Sequence, residues 1–158
     1  MHVVCPGSFD PITNGHVDII ERAAAQFEHV TVLVTYNPSK NGLFSVEERR
    51  GLIEKAVDHL PNVTVDSWDD LLVAYTTTHR ISALVKGLRS SLDYAYELPM
   101  AQMNRSLSGI DTLFLLTTPK YGHISSTLCK EVARYGGDVS GLMPDHVIEA
   151  MRKKIADE

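Results

Sequence analysis

The chain has 158 residues, of which 44% are hydrophobic and 22% are charged. This length and balance predict one globular domain, 1–158, with a full hydrophobic core. The 15 Lys and Arg residues are outnumbered by 20 Asp and Glu, and the net charge of -5 argues against a general nucleic-acid-binding protein. A small anionic ligand is still allowed, because basic residues can cluster locally in an acidic protein.

Signals for membranes or secretion are not evident in the sequence. No apolar run approaches the roughly 20 residues that cross a bilayer, and the first residues do not combine a basic region with a long apolar stretch. We therefore expect a cytoplasmic protein with no membrane partner. The two cysteines, Cys5 and Cys129, lie in apolar surroundings that predict buried free thiols rather than a disulfide or a metal motif.

Strands and helices alternate along the chain. Apolar, strand-like runs occupy 2–6, 30–36, 62–66, 82–86 and 111–117. Helical patterns begin at Val17 and after the capping box formed by Ser45 and Glu48, and others cover 69–78, 92–106, 126–135 and 144–156. The alternation predicts an α/β, Rossmann-like doubly wound sheet of about five parallel strands with helices on both faces.

Two prolines bear on these helices. Pro144 stands at a plausible first-turn position of the last helix, where its missing N–H has no intrahelical partner to lose. Pro99 lies inside the predicted helix 92–106, where it removes a backbone hydrogen bond and should kink or break the helix. We find no functional reason for Pro99 in the sequence.

Four polar clusters follow predicted strands: Gly7–His16, Asn37–Lys40, Lys86–Arg89 and Thr118–Thr127. In a parallel sheet the carboxyl ends of the strands meet at one edge, so the clusters should converge there, near the switch in strand order. The first cluster also precedes a helix, whose free N–H groups and dipole favour an anion. Since three clusters bring Lys or Arg, we expect a site for two or more phosphates.

These clusters resemble the two signatures of the nucleotidyltransferase superfamily. Gly7–His16 resembles the T/HxGH signature, and Ile124–Thr127 resembles the serine-rich helix start that forms the second signature. The stretches 86–89, 93–98, 100–104 and 130–133 resemble the phosphopantetheine adenylyltransferase family in particular. The similarity runs through nearly the whole chain in matching order and spacing.

The resemblance implies an enzyme that transfers AMP from ATP to 4'-phosphopantetheine, giving dephospho-coenzyme A and pyrophosphate, the penultimate step of coenzyme A biosynthesis. It also implies Mg²⁺ as cofactor, a cytoplasmic homohexamer, and coenzyme A as a feedback inhibitor. The acceptor brings its own phosphate nucleophile. The protein therefore needs only to hold two polyanions in line and to stabilise charge growing on the α-phosphate.

The resemblance further implies roles for individual residues. His16, at a helix N-terminus, would donate to the α-phosphate in the transition state and is the candidate catalytic residue. The positions matching the ATP site are Ser8, Phe9, His16, Gly87, Leu88, Arg89, Glu97, Tyr121, Gly122, His123, Ile124, Ser125, Ser126 and Thr127. The positions matching the phosphopantetheine site are Ser8, Lys40, Leu72, Lys86 and Asn104. No protein-built metal site is expected, since Mg²⁺ arrives with ATP and keeps several waters.

Other interpretations stay open for several of these residues. Leu72 is equally consistent with core packing, Asn104 with a helix surface, and Glu97 with a solvated helix charge. The triplet 125–127 is also a common pattern for a simple N-cap. Asp10, just before a proline, fits a role in orienting the turn or a lysine.

The chain departs from the family pattern at four places. Ser8 stands where threonine is common and Thr127 where serine is common, so both hydroxyls are kept. Lys86 stands for a frequent arginine, which keeps the charge but loses the bidentate fork. Gly122-His123 replaces a bulkier pair, and this puts the adenine-side contacts in question.

Two other functions are consistent with the same fold. The first is a sister nucleotidyltransferase, such as a cytidylyltransferase, acting on another phosphorylated acceptor. The matches at 86–89 and 100–104 argue against it. The second is a catalytically silent nucleotide sensor, against which the presence of His16 together with Ser125 and Ser126 argues.

Overall fold

One five-stranded parallel sheet organises the computed structural model, which describes all residues from 1 to 158. The strands are β1 His2–Gly7, β2 His29–Thr35, β3 Val63–Trp68, β4 Ala83–Leu88 and β5 Asp111–Leu116. Their order across the sheet is β3-β2-β1-β4-β5, and every neighbouring pair is parallel. The predicted α/β architecture is confirmed, with strand ends one or two residues from those predicted.

Six α-helices connect and follow the strands. They are α1 Asn14–Gln26, α2 Val46–Ala56, α3 Leu72–Thr78, α4 Ser91–Ser108, α5 Ser126–Arg134 and α6 Asp145–Ala156, with a short 3₁₀ helix at Pro119–Tyr121. α1 begins earlier than the predicted Val17 because Thr13 caps it, and Pro144 is the N-cap of α6 rather than a first-turn residue. None of these helices combines the length and apolar content that crossing a bilayer requires.

The capping box predicted before α2 is confirmed. The backbone N–H of Glu48 donates to Oγ of Ser45 at 3.2 Å, and the backbone N–H of Ser45 donates to Oε2 of Glu48 at 2.7 Å. Two backbone donors at the helix start are thereby satisfied, which fixes where α2 begins.

The helix that contains Pro99 is not broken. α4 runs from Ser91 to Ser108 through Pro99 and ends at Gly109, whose φ of 78° lies in the left-handed region. Of the predicted kink or break, the break is therefore wrong, and the kink stays a prediction. Pro99 leaves the carbonyl of Ala95 without its helical donor, and because Ala95 is exposed, water can replace that donor.

Alternate residues of the central strand pack on opposite faces of the sheet. On one face, Val3 and Cys5 of β1 pack with Ile19 of α1. On the other face, Val4 packs with Tyr75 of α3. Helices therefore cover both faces, as the doubly wound arrangement requires.

The strand order reverses between β1 and β4. The chain leaves β1 through α1 to reach β2 on one side, whereas β4, on the other side of β1, is followed by α4 and β5. Such a switch point opens a crevice at the carboxyl ends of the two strands. Lys86, Gly87 and Leu88, predicted to follow β4, belong to the strand because they pair with residues 114–116 of β5, and Arg89 is the first residue after it.

Candidate active site

A cleft of about 340 Å³ lies at the switch point. It is formed by the ends of β1 and β4, the starts of α1 and α5, and the first turns of α4. The residues that line it are mostly polar or aromatic, with glycines among them, and include Ser8, Phe9, Thr13, Gly15, His16, Lys86, Gly87, Arg89, Asp93, Tyr96, Glu97, Thr117, Ser125 and Ser126. Three of the four predicted clusters therefore contribute to this one cleft.

The start of α1 is a capping box built from Thr13 and His16. The backbone N–H of His16 donates to Oγ1 of Thr13 at 3.4 Å, and the backbone N–H of Thr13 donates to Nδ1 of His16 at 3.0 Å. The sequence analysis missed this box, because the usual third-position residue is Glu or Gln rather than His. Since Nδ1 accepts a hydrogen bond, the proton of the neutral ring is on Nε2.

His16 is held as a neutral donor. Burial, followed by the positive charges of Arg89 and Lys86, lowers the pKa of His16 from 6.5 to about 4. The ring also meets the Phe9 ring edge-on, with centroids 4.9 Å apart. At neutral pH the side chain therefore presents an uncharged Nε2–H in a fixed orientation, beside two cations that attract phosphate.

Fewer backbone donors are free at the start of α1 than we expected. The N–H of Asn14 donates to the carbonyl of Leu142 at 2.9 Å, and the N–H of His16 is taken by Thr13. Of the first three helical amides, that of Gly15 is the one without a protein partner. The donors left for an anion at the start of α1 are thus the Gly15 amide and the His16 ring.

The two cations at the carboxyl end of β4, Lys86 and Arg89, each have an acidic partner. Nζ of Lys86 lies 3.1 Å from Oε2 of Glu97, with both side chains mostly buried. Nε of Arg89 donates to Asp93 at 3.1 Å, and Nη1 of Arg89 donates to the carbonyl of Ile124 at 2.9 Å. Arg89 therefore joins α4 to the second signature loop.

Asp93 is a cleft residue that the sequence analysis did not assign. Burial on its own would raise the pKa of Asp93, but hydrogen bonds from Arg89 and the charge of Arg89 outweigh burial and hold the pKa below its usual value. Asp93 also accepts from the backbone N–H of Arg89 at 2.9 Å. The i, i+4 spacing from Arg89 was the available signal.

The hydroxyls at the start of α5 have structural partners. Ser125 is the N-cap, accepting from the N–H of Leu128 at 3.1 Å, and Oγ of Ser126 donates to the carbonyl of Pro11 at 2.7 Å. The N-cap interpretation of this triplet thus describes the structure. It leaves the first amides of α5 as the donors available for a phosphate.

Gly87 is a packing requirement as well as a cleft residue. A Cβ at this position would lie 2.9 Å from Cγ1 of Ile19 and 3.6 Å from Oγ1 of Thr117. Only glycine therefore lets α1 approach the end of β4 this closely. This approach brings His16 and Lys86 to the same cleft.

Lys40 lies in a second, more open depression of about 640 Å³. Ser8 and Ser126 line both this depression and the cleft, and Thr127 and Lys130 line the depression alone. Lys40 and Lys86, which were predicted to bind one phosphate, therefore line two different hollows that share Ser8.

The remaining predicted residues do not line the cleft or the depression. Leu72 packs, partly buried, against the core cluster around Tyr75, in agreement with the core-packing interpretation. Leu88 pairs with Leu116 in the sheet, and Asn104 lies on α4. Tyr121 packs against the core, whereas Gly122 and His123 are exposed. Their binding roles stay predictions.

No three His, Cys, Asp or Glu side chains are grouped as a metal site would need. The carboxylates that line the two hollows are Asp93 and Glu97 in the cleft and Asp10 in the depression, and each is paired with a Lys or Arg. The protein therefore supplies this site with cations and hydrogen-bond donors that suit an anion.

Comparisons with known proteins agree with this geometry. A family model described as cytidylyltransferase-like matches residues 4–132. A phosphopantetheine adenylyltransferase of Corynebacterium efficiens is 71% identical over 159 residues, covering 100% of both chains. Proteins of the same name from Corynebacterium glutamicum and Corynebacterium diphtheriae are 67% and 63% identical, covering 100% and 96% of this chain and 99% and 96% of their own. The chain belongs to the cytidylyltransferase-like nucleotidyltransferases and, among them, to the phosphopantetheine adenylyltransferase family.

Proposed function

We propose that this protein transfers AMP from ATP to 4'-phosphopantetheine, giving dephospho-coenzyme A and pyrophosphate, the penultimate step of coenzyme A biosynthesis. The observation that carries the proposal is the neutral His16 donor, fixed by Thr13 at a helix N-terminus in the cleft that Lys86 and Arg89 also line. The full-length similarity to proteins named for this activity supports the choice of nucleotide and acceptor.

The reaction needs no nucleophile from the protein. An oxygen of the acceptor phosphate attacks the α-phosphorus of ATP, a new P–O bond forms, and the bond to the bridging oxygen of pyrophosphate breaks. Charge shifts to the α-phosphate oxygens and to the leaving group in the transition state. Nε2–H of His16 donates to an α-phosphate oxygen there, and Arg89 with the first amides of α5 would bind the leaving phosphates.

The acceptor phosphate would lie between Lys40 and Lys86. Ser8, which lines both the cleft and the depression, stands where the two substrates meet. Glu97 pairs with Lys86 in this structure, so the arriving phosphate competes with Glu97 for the ammonium. Glu97 is then free to accept a hydrogen bond from the nucleotide.

Mg²⁺ would enter as part of the ATP substrate. Asp93, Glu97 and Asp10 are each engaged by a cation of the protein, so the ion would be held by phosphate oxygens and water. Mg²⁺ commonly binds in this way with few protein ligands. Its chemistry here is to neutralise charge on the triphosphate.

We also propose a cytoplasmic homohexamer. α4 and the edge strand β5 expose large apolar side chains at Leu92, Tyr96, Met103, Leu107, Leu113 and Leu116. An apolar surface of this kind on an edge strand and its neighbouring helix favours self-association. The acidic net charge of -5 gives no support to a nucleic-acid partner.

Coenzyme A would act as a feedback inhibitor at the same cleft. It contains the pantetheine arm and the adenylyl group that the reaction joins. Groups that bind both substrates therefore have partners in this end product, and we expect it to compete with each of them.

Pyrophosphate release tests the proposal. With 4'-phosphopantetheine and Mg²⁺, release should require ATP, and CTP should give little. Activity with CTP alone would favour a sister cytidylyltransferase, and no release with either nucleotide would favour a silent sensor. Lys40→Ala should raise the KM for phosphopantetheine more than that for ATP, and the opposite pattern would contradict the assignment of Lys40.

A further inference from the structure

Asp10 is a buried carboxylate that takes no direct part in the proposed AMP transfer. It is 6% exposed. Its two oxygens accept from the backbone N–H groups of Leu43 and Phe44, both at 2.9 Å, and from Nζ of Lys130 at 3.1 Å. One side chain therefore holds two consecutive amides of the segment that connects β2 to α2.

Arg49 continues this network to the cleft. Its guanidinium is buried, with Nε 3.4 Å from Oδ1 of Asp10. It donates to the carbonyl of Phe44 at 3.0 Å and to the carbonyl of Ser8 at 3.3 Å. Asp10 and Arg49 thus connect the segment 41–44 with the backbone of Ser8, which lines both the cleft and the depression.

Gly42 shows how closely the segment approaches this pair. A Cβ at Gly42 would overlap Nη2 of Arg49 and lie 2.5 Å from Oδ2 of Asp10. The backbone therefore rests directly on the two charged groups. Any larger residue would push the segment away from them.

Lys40 is carried by this segment. It stands two residues before Gly42, in a stretch between β2 and α2 that has no helix or strand of its own. On its amino-terminal side, the N–H of Ser39 donates to Oδ1 of Asn37 at 2.9 Å, which makes a local turn. On its carboxyl-terminal side, the stretch is tied to the body of the protein by the two amide contacts of Asp10, by the bond from Arg49 to the carbonyl of Phe44, and by the packing of Leu43 and Phe44 in the core.

We propose that Asp10 is a positioning residue for the acceptor phosphate, holding the segment 41–44 so that Lys40 faces Ser8. This inference rests on the proposed function, in which Lys40 binds the phosphate of phosphopantetheine. Asp10 touches neither substrate. It acts by reducing the number of positions that the Lys40 ammonium can occupy before the acceptor arrives, which lowers the entropy lost on binding.

The test compares Asp10→Asn with Asp66→Asn as a matched control, because Asp66 is a partly buried carboxylate that accepts from the hydroxyl of Tyr75 and lines neither the cleft nor the depression. In both variants an asparagine keeps the size but loses the charge and one acceptor oxygen. Asp10→Asn should raise the KM for phosphopantetheine about tenfold, the loss expected for one charge-assisted contact. The KM for ATP should change less than about twofold in both variants.

A double mutant separates positioning from a general loss of structure. In a Lys40→Ala background, Asp10→Asn should have little further effect on the KM for phosphopantetheine, because the group being positioned is gone. Equal increases in both KM values, or additive effects in the double mutant, would overturn the inference. Absence of turnover in the unmodified protein would instead contradict the proposed function.

Gly42→Ala provides a second route if Asp10→Asn does not fold. Its added methyl would overlap Nη2 of Arg49 and crowd Oδ2 of Asp10, so it disturbs the contact between the segment and this pair while both charged groups remain in the chain. The same selective rise in the KM for phosphopantetheine is expected. A folded Gly42→Ala protein with an unchanged KM for the acceptor would count against the proposal.

Discussion

His16 has two functions in this structure, and they can be separated by mutation. Its Nδ1 accepts from the N–H of Thr13 and so caps α1, and its ring lines the cleft, where we propose that Nε2–H donates to the α-phosphate. His16→Ala removes both interactions. His16→Glu keeps an acceptor at the third position of the capping box but supplies no N–H donor at neutral pH.

Losing the helix cap and losing the hydrogen-bond donor should have effects of very different size. Loss of a cap costs about 1 kcal/mol, which lowers the Tm of a domain of this size by about 3 °C. A loss of that size leaves a protein with ordinary stability almost fully folded at 25 °C. Loss of one preorganised donor costs about 10²–10³ in kcat. The activity of His16→Ala should therefore fall far more than its folded fraction.

Steady-state pyrophosphate release and thermal unfolding measure the two effects. We expect His16→Ala to lose both kcat and some Tm, while His16→Glu keeps a Tm near that of the unmodified protein and is at least as inactive. ATP binding by calorimetry should survive in His16→Ala. Turnover of His16→Ala within a fewfold of the unmodified rate would refute the argument that Nε2–H stabilises the transition state.

Three other predictions concern protonation, thiol reactivity and assembly. Because the pKa of His16 is about 4 in the folded state and 6.5 as its ordinary value, the unfolded chain binds the proton first as pH falls. The contribution of His16 to the free energy of unfolding is therefore fully present above pH 6.5, and about 3 kcal/mol of it is lost as the pH falls towards 4. In urea unfolding at pH 7 and pH 4.5, the free energy of unfolding should fall less for His16→Ala than for the unmodified protein. Burial raises the pKa of Cys5 to about 12 and also raises that of Cys129, so both thiols should resist a disulfide reagent until the protein is unfolded, and fast native labelling would contradict their burial. Met103→Glu, on the exposed apolar face of α4, should reduce the mass measured by light scattering, and an unchanged mass would show that this face does not hold the assembly together.

Local patterns were sufficient for most of the fold. Period and composition predicted the five strands and their parallel arrangement, because buried parallel strands read as short apolar runs between helical segments. The capping box of Ser45 and Glu48 could also be predicted, because its two partners are only three residues apart in the sequence. Pro99 was misjudged because an exposed helix can leave one carbonyl to water.

The site was predicted less completely. The positions of His16, Lys86 and Arg89 in motifs indicated an anion site, but their partners come from elsewhere in the chain or from atypical residues. Glu97 on α4 neutralises Lys86 on β4, and Asp93 was overlooked beside Arg89. The free amides expected at α1 were fewer, because Asn14 is bonded to Leu142, which is distant in sequence.

The sequence by itself determined the family and the order of strands and helices, and it predicted a convergent set of polar clusters, because these depend on local spacing and residue type. Only the tertiary structure decided which ring nitrogen of His16 carries the proton, which cations are already paired, and that Lys40 and Lys86 line two different hollows that share Ser8. These properties depend on distances and burial between segments remote in sequence, and such distances arise only when the sheet and its helices are packed together.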